Sequence, residues 1–106
     1  MGSLTSGQMQ TENLHIIQVA FPEEDTIRIY LRNTGSFSII VKEIWVTGGT
    51  DGPENLLGEG ETVTVGANTD KMVEYTFEWT AGSSYQVRVV TAKGNQFYYT
   101  AVAPAP

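Results

Sequence analysis

The chain has 106 residues, enough for one domain with a modest core and too few for two. Its 12 acidic and 6 basic residues give a net charge of −6. Nucleic-acid binding depends on clustered cations that neutralise phosphates, so this composition argues against a nucleic-acid partner. The sequence has no cysteine, which excludes disulfides, thiolate metal sites and a cysteine nucleophile.

The first twelve residues show no hydrophobic periodicity, and the opening Met-Gly-Ser resembles a start added for expression rather than a signal peptide. We therefore predict a disordered leader over residues 1–12. A first strand is predicted over residues 13–21, where alternation places His15 and Ile17 on the same face as Val19. An acidic turn that begins with proline follows this strand.

The clearest pattern in the chain is the run I-R-I-Y-L-R-N-T-G at residues 27–35. Its aliphatic side chains alternate with Arg28, Tyr30 and Arg32, which predicts a half-buried strand over residues 26–32. The Asn-Thr-Gly that ends the run contains two residue types that tolerate positive φ, so we expect a sharp turn there.

A third strand is predicted over residues 37–47, which are rich in β-branched side chains. Its alternation slips near Lys42 and Glu43, and a bulge or apolar surroundings on both faces would explain the slip. Residues 48–60 contain many glycines and a proline and are predicted to be irregular, with two adjacent leucines tucked beneath them.

Four further strands complete the predicted domain, and the Pro-Ala-Pro end forms a tail over residues 104–106. Tyr85 follows a turn between two of these strands. It fits either a tyrosine corner, in which the hydroxyl bonds to upstream backbone, or an ordinary strand aromatic. The four strands are predicted over residues 61–65, 71–79, 85–91 and 97–102.

About seven short strands and no helical periodicity predict an all-β domain. We interpret residues 13–103 as an immunoglobulin-like Greek-key β-sandwich of about seven antiparallel strands. A small closed barrel is the alternative.

The sequence offers no catalytic set. His15 is the single histidine and no nucleophile-elbow motif accompanies it, so we predict that the protein is not an enzyme. One histidine cannot form a zinc site. Acidic residues at 23–25 and 51–61 could supply oxygen ligands to calcium, but acidic turns usually stay hydrated. We predict no metal and no cofactor.

Five aromatic residues could form a platform for sugar binding, although we place both tryptophans in the core. These residues are Tyr30, Trp45, Trp79, Tyr98 and Tyr99. The predicted interaction surface consists of the outward Arg28, Tyr30, Arg32 and Arg88, and it includes Trp45 of the third strand if that ring stands exposed instead.

Three runs carry a resemblance to a known family. They are I-R-I-Y-L-R-N-T-G-S at residues 27–36, I-x-V-x-x-I-W-V at residues 39–46, and A-G-S-S-Y-Q-V-R-V-V-T-A-K-G-N-Q-F-Y-Y-T at residues 81–100. Over residues 13–103 the chain resembles the globular domains of archaeal type IV pilin-like proteins, a group that includes archaellum-associated components.

The resemblance implies a non-enzymatic extracellular structural or interaction domain of a surface filament or of the archaellum. It implies protein partners, either further copies in a filament or a surface-layer protein. It also implies a cell-surface location, with the membrane reached through an N-terminal hydrophobic helix that is absent from this chain. The alternative is an adhesion or carbohydrate-binding module, with or without calcium.

Overall fold

The computed structural model describes residues 12–48 and 51–105 and shows an all-β fold, which confirms the predicted class. Eight strands lie in these residues. They are β1 (Leu14–Glu23), β2 (Thr26–Asn33), β3 (Ile39–Gly48), β4 (Asp51–Asn55), β5 (Val63–Val65), β6 (Thr69–Thr76), β7 (Ser84–Thr91) and β8 (Gln96–Val102). Apart from Glu12, the predicted leader lies outside the described residues, as does the last residue of the predicted tail.

The strands form two antiparallel sheets. One has the order β1-β2-β6, and the other has the order β4-β3-β7-β8, with β5 paired to the first part of β3. The inner sides of both sheets contribute to one buried cluster. Its members with no exposed surface include Ile27, Ile29, Leu31, Val41, Ile44, Val46, Val65, Tyr85, Val87 and Val89.

Strand β2 confirms the half-buried strand predicted over residues 26–32. Its aliphatic side chains are fully buried, while Arg28, Tyr30 and Arg32 lie on the outer side. The turn that follows differs from the expectation, because neither Asn33 nor Gly35 has positive φ. The Asn33 side chain holds the turn instead, since its Oδ1 accepts the Gly35 N–H at 2.9 Å.

Strand β1 corrects the predicted face assignment. The β1–β2 register shifts between Ile16 and Gln18, and the extra residue reverses the phase of alternation. Leu14 and Val19 are therefore both buried, although an odd number of positions separates them. Ile17 and His15 are exposed rather than aligned with Val19.

Strand β3 contains the predicted bulge. Its register against β7 shifts between Val41 and Glu43, which allows Val41 and Ile44 to be buried together. The prediction for residues 48–60 is partly wrong, because β4 lies within this segment and pairs with β3. Leu57 is buried as expected, and Leu56 packs against the core.

Tyr85 forms the tyrosine corner. Its ring is fully buried, and its hydroxyl accepts the N–H of Thr80 at 2.7 Å. Phe77 meets the ring edge-on with centroids 5.5 Å apart, and Phe21 lies 5.7 Å away. This aromatic cluster joins β1, β7 and the segment after β6 at one end of the core.

No helix in the described part of the chain has the length and apolar character to cross a membrane.

Candidate interaction surface

The five residues predicted to form an interaction surface lie on opposite sides of the domain. Arg28, Tyr30 and Arg32 project from β2 on the outer face of the β1-β2-β6 sheet. Trp45 and Arg88 project from β3 and β7 on the outer face of the other sheet. The structure thus contains two separate surfaces where the sequence predicted one.

On the three-stranded sheet, acidic residues of β6 pair with both arginines. The register places Arg28 opposite Glu74 and Arg32 opposite Asp70. The Arg28 Nε and Nη2 atoms donate to Glu74 Oε2 at 2.9 and 2.7 Å. Arg32 donates from Nε and Nη2 to the two Asp70 oxygens at 2.9 and 3.1 Å. This face therefore carries little net positive charge.

The pKa values on this face follow from the same bonds. Hydrogen bonds to the Tyr30 hydroxyl and then to Glu74 raise the pKa of Arg28. The hydrogen bond from Arg32 lowers the pKa of Asp70 from its ordinary value of 3.8. Both pairs are exposed to solvent, where ion pairs contribute little to stability.

We expect Arg32→Gln to raise the pKa of Asp70 back towards its ordinary value, because the substitution removes the guanidinium that stabilises the carboxylate. A carboxyl whose pKa is lower in the folded chain stabilises the fold above its unfolded pKa, and the contribution disappears as the pH falls through the folded value. NMR titration of the Asp70 carboxyl tests this. Arg28→Gln is the matched control, and an equal shift in both variants would contradict the pairing.

A different arrangement occupies the outer face of the five-stranded sheet. The register places Trp45, Arg88 and Tyr98 side by side on β3, β7 and β8, and we name these residues the Trp45–Arg88–Tyr98 row. The Arg88 guanidinium carbon lies 5.6 Å from the centre of the Trp45 ring, within cation–π range. Tyr98 is 55% exposed.

Trp45 lies on this outer face and is partly exposed, so its predicted place in the core is wrong. Its indole Nε1 donates to Glu43 Oε1 at 2.8 Å. Trp79 does pack against the core, and its Nε1 donates to the carbonyl oxygens of Glu23 and Thr26. The bulge in β3 accounts for the position of Trp45, because it turns Ile44 inward and its neighbour outward.

Arg88 differs from Arg28 and Arg32 in its partners. Among the described residues, both ion pairs within 4 Å belong to the three-stranded sheet, and Arg88 has no acidic partner at that distance. Trp, Arg and Tyr are the residue types that most often dominate the binding energy of protein interfaces. The Trp45–Arg88–Tyr98 row is therefore the stronger candidate for contact with a partner.

His15, the single histidine, lies on the surface of the domain. Its side chain is exposed, and its Nε2 atom lies 3.5 Å from the Thr34 hydroxyl. No three described side chains of His, Cys, Asp or Glu are grouped so that they could hold a metal ion. A shallow hollow beside Glu12 and Lys93 has about 230 Å³ of empty space, part of it open solvent.

Two polar clusters were missed by reasoning from the sequence. Asn33 is 1% exposed and bonds to three backbone groups. Glu12 accepts hydrogen bonds from the buried Thr91 hydroxyl at 2.6 Å and from Asn95 Nδ2 at 2.7 Å. The second cluster joins the start of the domain to the β7–β8 turn. No local sequence pattern predicts a contact between residues so far apart in the chain.

No family model matches this sequence, and no curated protein matches it. Solved structures that are similar to this chain include two of archaellum stator proteins. The archaellum periplasmic stator protein FlaG from Sulfolobus acidocaldarius has a TM-score of 0.69 at 14% identity, and the match covers 86% of this chain and 100% of that one. A structure of the stator complex of FlaF and FlaG from the same organism gives 0.68 at 15% identity, with 95% and 98% covered. The likeness establishes the fold.

At these identities the likeness extends to the architecture and no further. The resemblance to archaellum-associated domains is confirmed at the level of the fold, and the wider resemblance to type IV pilins stays a prediction. The match spans essentially the whole of each stator chain. The shared fold is therefore that of an entire domain and not of a common substructure.

Proposed function

We propose that this chain is a non-enzymatic structural and interaction domain of the archaellum, working outside the cell membrane in the manner of a stator component. The observation that carries the proposal is the match to FlaG, which extends over the full length of that chain. The Trp45–Arg88–Tyr98 row also supports the proposal, because these residue types are typical of protein interfaces rather than of catalytic sites.

The proposal includes an immunoglobulin-like Greek-key topology. Its support is the strand order, in which β1, β2 and β6 share one sheet while β3, β7 and β8 share the other. Chain segments cross between the sheets after β2, before β6 and after β6, as sandwich folds of this type require. The tyrosine corner at Tyr85 is a further feature of such domains.

The proposed partner is a protein, either a further copy in a filament or a surface-layer protein. We place the contact on the Trp45–Arg88–Tyr98 row rather than on the face of Arg28, Tyr30 and Arg32, where both guanidinium groups already have carboxylate partners. The wider proposal retains the pilin-like mode of anchoring, by a hydrophobic segment N-terminal to the domain.

Deleting the gene in its source organism tests the proposed role. We expect the deletion strain to lose swimming or to assemble fewer filaments, as counted by electron microscopy, and a plasmid copy to restore both. Normal swimming with normal filament numbers would overturn the archaellum assignment. Fractionation of the cell envelope in the same strains tests the extracellular location.

One observation favours the alternative of a carbohydrate-binding or adhesion module. Trp45 and Tyr98 share one outer face, two strands apart, whereas Trp79 and Tyr99 point towards the core and Tyr30 lies on the opposite face. Arg88 stands between the two rings, so they do not form a continuous platform. A glycan array, run with and without calcium, distinguishes this alternative, which requires glycan binding that Trp45→Ala abolishes.

A further inference from the structure

Strand β8 lies at one edge of the five-stranded sheet. Within the described residues it pairs with β7 alone, in an unbroken register from Gln96 to Val102. The ladder is flanked by bonds from the Ala103 N–H to the Ser83 carbonyl and from the Thr91 N–H to the Asn95 carbonyl, both 2.9 Å. Hydrogen-bonded positions alternate in an antiparallel pair, so the odd-numbered residues of β8 bond to β7.

The even-numbered residues therefore direct their backbone N–H and C=O groups away from the sheet. These residues are Gln96, Tyr98, Thr100 and Val102. Their side chains are exposed on the outer face, with Val102 at 66% exposure. Strand β1 runs beside β8 where the two sheets meet, but no backbone pairing joins them in the described structure. The outward groups form a row that another strand can bond.

The other edges are short or carry features that discourage pairing, whereas β8 has seven residues and none of these features; β5, which pairs with β3, has only three residues. Strand β1 has two register shifts and a proline, and β4 is short and contains Gly-Pro. Strand β6 carries three charged side chains, Asp70, Lys71 and Glu74. Charges, prolines and bulges are the usual means by which proteins protect edge strands. The β8 sequence, QFYYTAV, has no charge, no proline, no glycine and no register shift.

The geometry points to a second copy of this chain as the occupant of the β8 edge. Each chain has a net charge of −6, which opposes self-association, and the opposition is smallest where the contacting strands themselves carry no charge. An uncharged strand is such a place, and an antiparallel pair about a two-fold axis is self-complementary. The inference names one partner of the proposed interaction domain and in that respect rests on the proposed function.

Full overlap of the two β8 strands sets the register. It places Tyr98 opposite Thr100 of the second copy and Gln96 opposite Val102 of the second copy, with about eight new backbone hydrogen bonds. Tyrosine and β-branched side chains form favourable cross-strand pairs. The two five-stranded sheets then become one continuous sheet, and the two Trp45–Arg88–Tyr98 rows lie on the same face.

Sedimentation of the 106-residue chain tests the inference, over about 1 μM to about 1 mM. We expect a reversible monomer–dimer equilibrium. Thr100→Pro removes an outward N–H and leaves the β7 ladder intact, so we expect the dimer Kd to rise at least about tenfold. Thr100→Lys replaces the proline variant if that variant fails to fold, and it should also raise the dimer Kd. Gln86→Lys, on the neighbouring strand of the same face, is the matched control and should change Kd less than about twofold.

Hydrogen exchange supplies a second readout. In the dimer, we expect slower exchange of the amides of residues 96, 98, 100 and 102 and unchanged exchange at odd positions, which β7 already protects. A chain that stays monomeric throughout the range would overturn the inference, as would open-ended aggregates or a dimer weakened by Gln86→Lys but not by Thr100→Lys. A monomer would leave the deletion phenotype and the archaellum proposal intact, so the two failures are distinguishable.

Discussion

Replacing Tyr85 with alanine should lower the free energy of unfolding by about 3–5 kcal/mol, the range seen when a large buried aromatic is truncated. The side chain has no exposed surface and contacts the rings of Phe21 and Phe77. Its hydroxyl also accepts the Thr80 N–H. The substitution leaves a cavity and removes the bond that holds the turn before β7. Urea unfolding monitored by tryptophan fluorescence measures the change.

Two further variants separate the contributions of the Tyr85 hydroxyl and of the buried Tyr85 ring to this loss of stability. Tyr85→Phe keeps the ring and removes the hydroxyl, so it should cost about 1 kcal/mol. Tyr98→Ala makes the same change as Tyr85→Ala at a residue that is 55% exposed, and it should cost less than about 0.5 kcal/mol. Equal losses at Tyr85 and Tyr98 would contradict the assignment of Tyr85 to the core.

Replacing Asn33 with alanine should cost about 2–4 kcal/mol, because three backbone groups lose a partner at a site that is 1% exposed. The Asn33 Nδ2 atom donates to the carbonyls of Phe37 at 2.8 Å and of Val65 at 3.1 Å. Its Oδ1 atom accepts the N–H of Gly35. The amide thus ties the end of β2 to the following turn and to β5, across the two sheets.

Asn33→Asp isolates the hydrogen-bonding role, since it keeps the size of the side chain. At neutral pH it places a carboxylate against two carbonyl oxygens, so it should destabilise at least as much as alanine. The cost should fall as the carboxyl is protonated in acid and can donate again. Asn13→Ala, at an exposed asparagine, is the control and should change stability by less than about 0.5 kcal/mol. A pH-independent cost for Asn33→Asp would contradict the hydrogen-bonding role.

The elements with clear alternation were predictable from the sequence. A period of two located β2 and the inward face of β6, because each has one buried and one exposed side. The slip at Lys42 and Glu43 located the bulge in β3. Strand β4 was missed because Gly52 and Pro53 favour irregular structure locally, whereas its pairing with β3 is a tertiary contact.

The candidate surface was predictable in residue type but not in arrangement. Outward positions on β2 were recognised, yet the neutralisation of Arg28 and Arg32 depends on a register with β6, which lies about forty residues later. The place of Tyr98 beside Arg88 likewise depends on the β7–β8 register. Such pairings are set by long-range packing, which a single sequence does not encode as a local pattern.

The most direct test of the central claim is the swimming of the deletion strain complemented with matched arginine variants. Arg88→Gln with Tyr98→Ala alters the Trp45–Arg88–Tyr98 row, whereas Arg28→Gln with Tyr30→Ala makes the same two changes on the opposite face. We predict that the second variant restores swimming and the first does not, at equal amounts of folded protein in the envelope. Full restoration by the first variant would contradict the claim that this face carries the function.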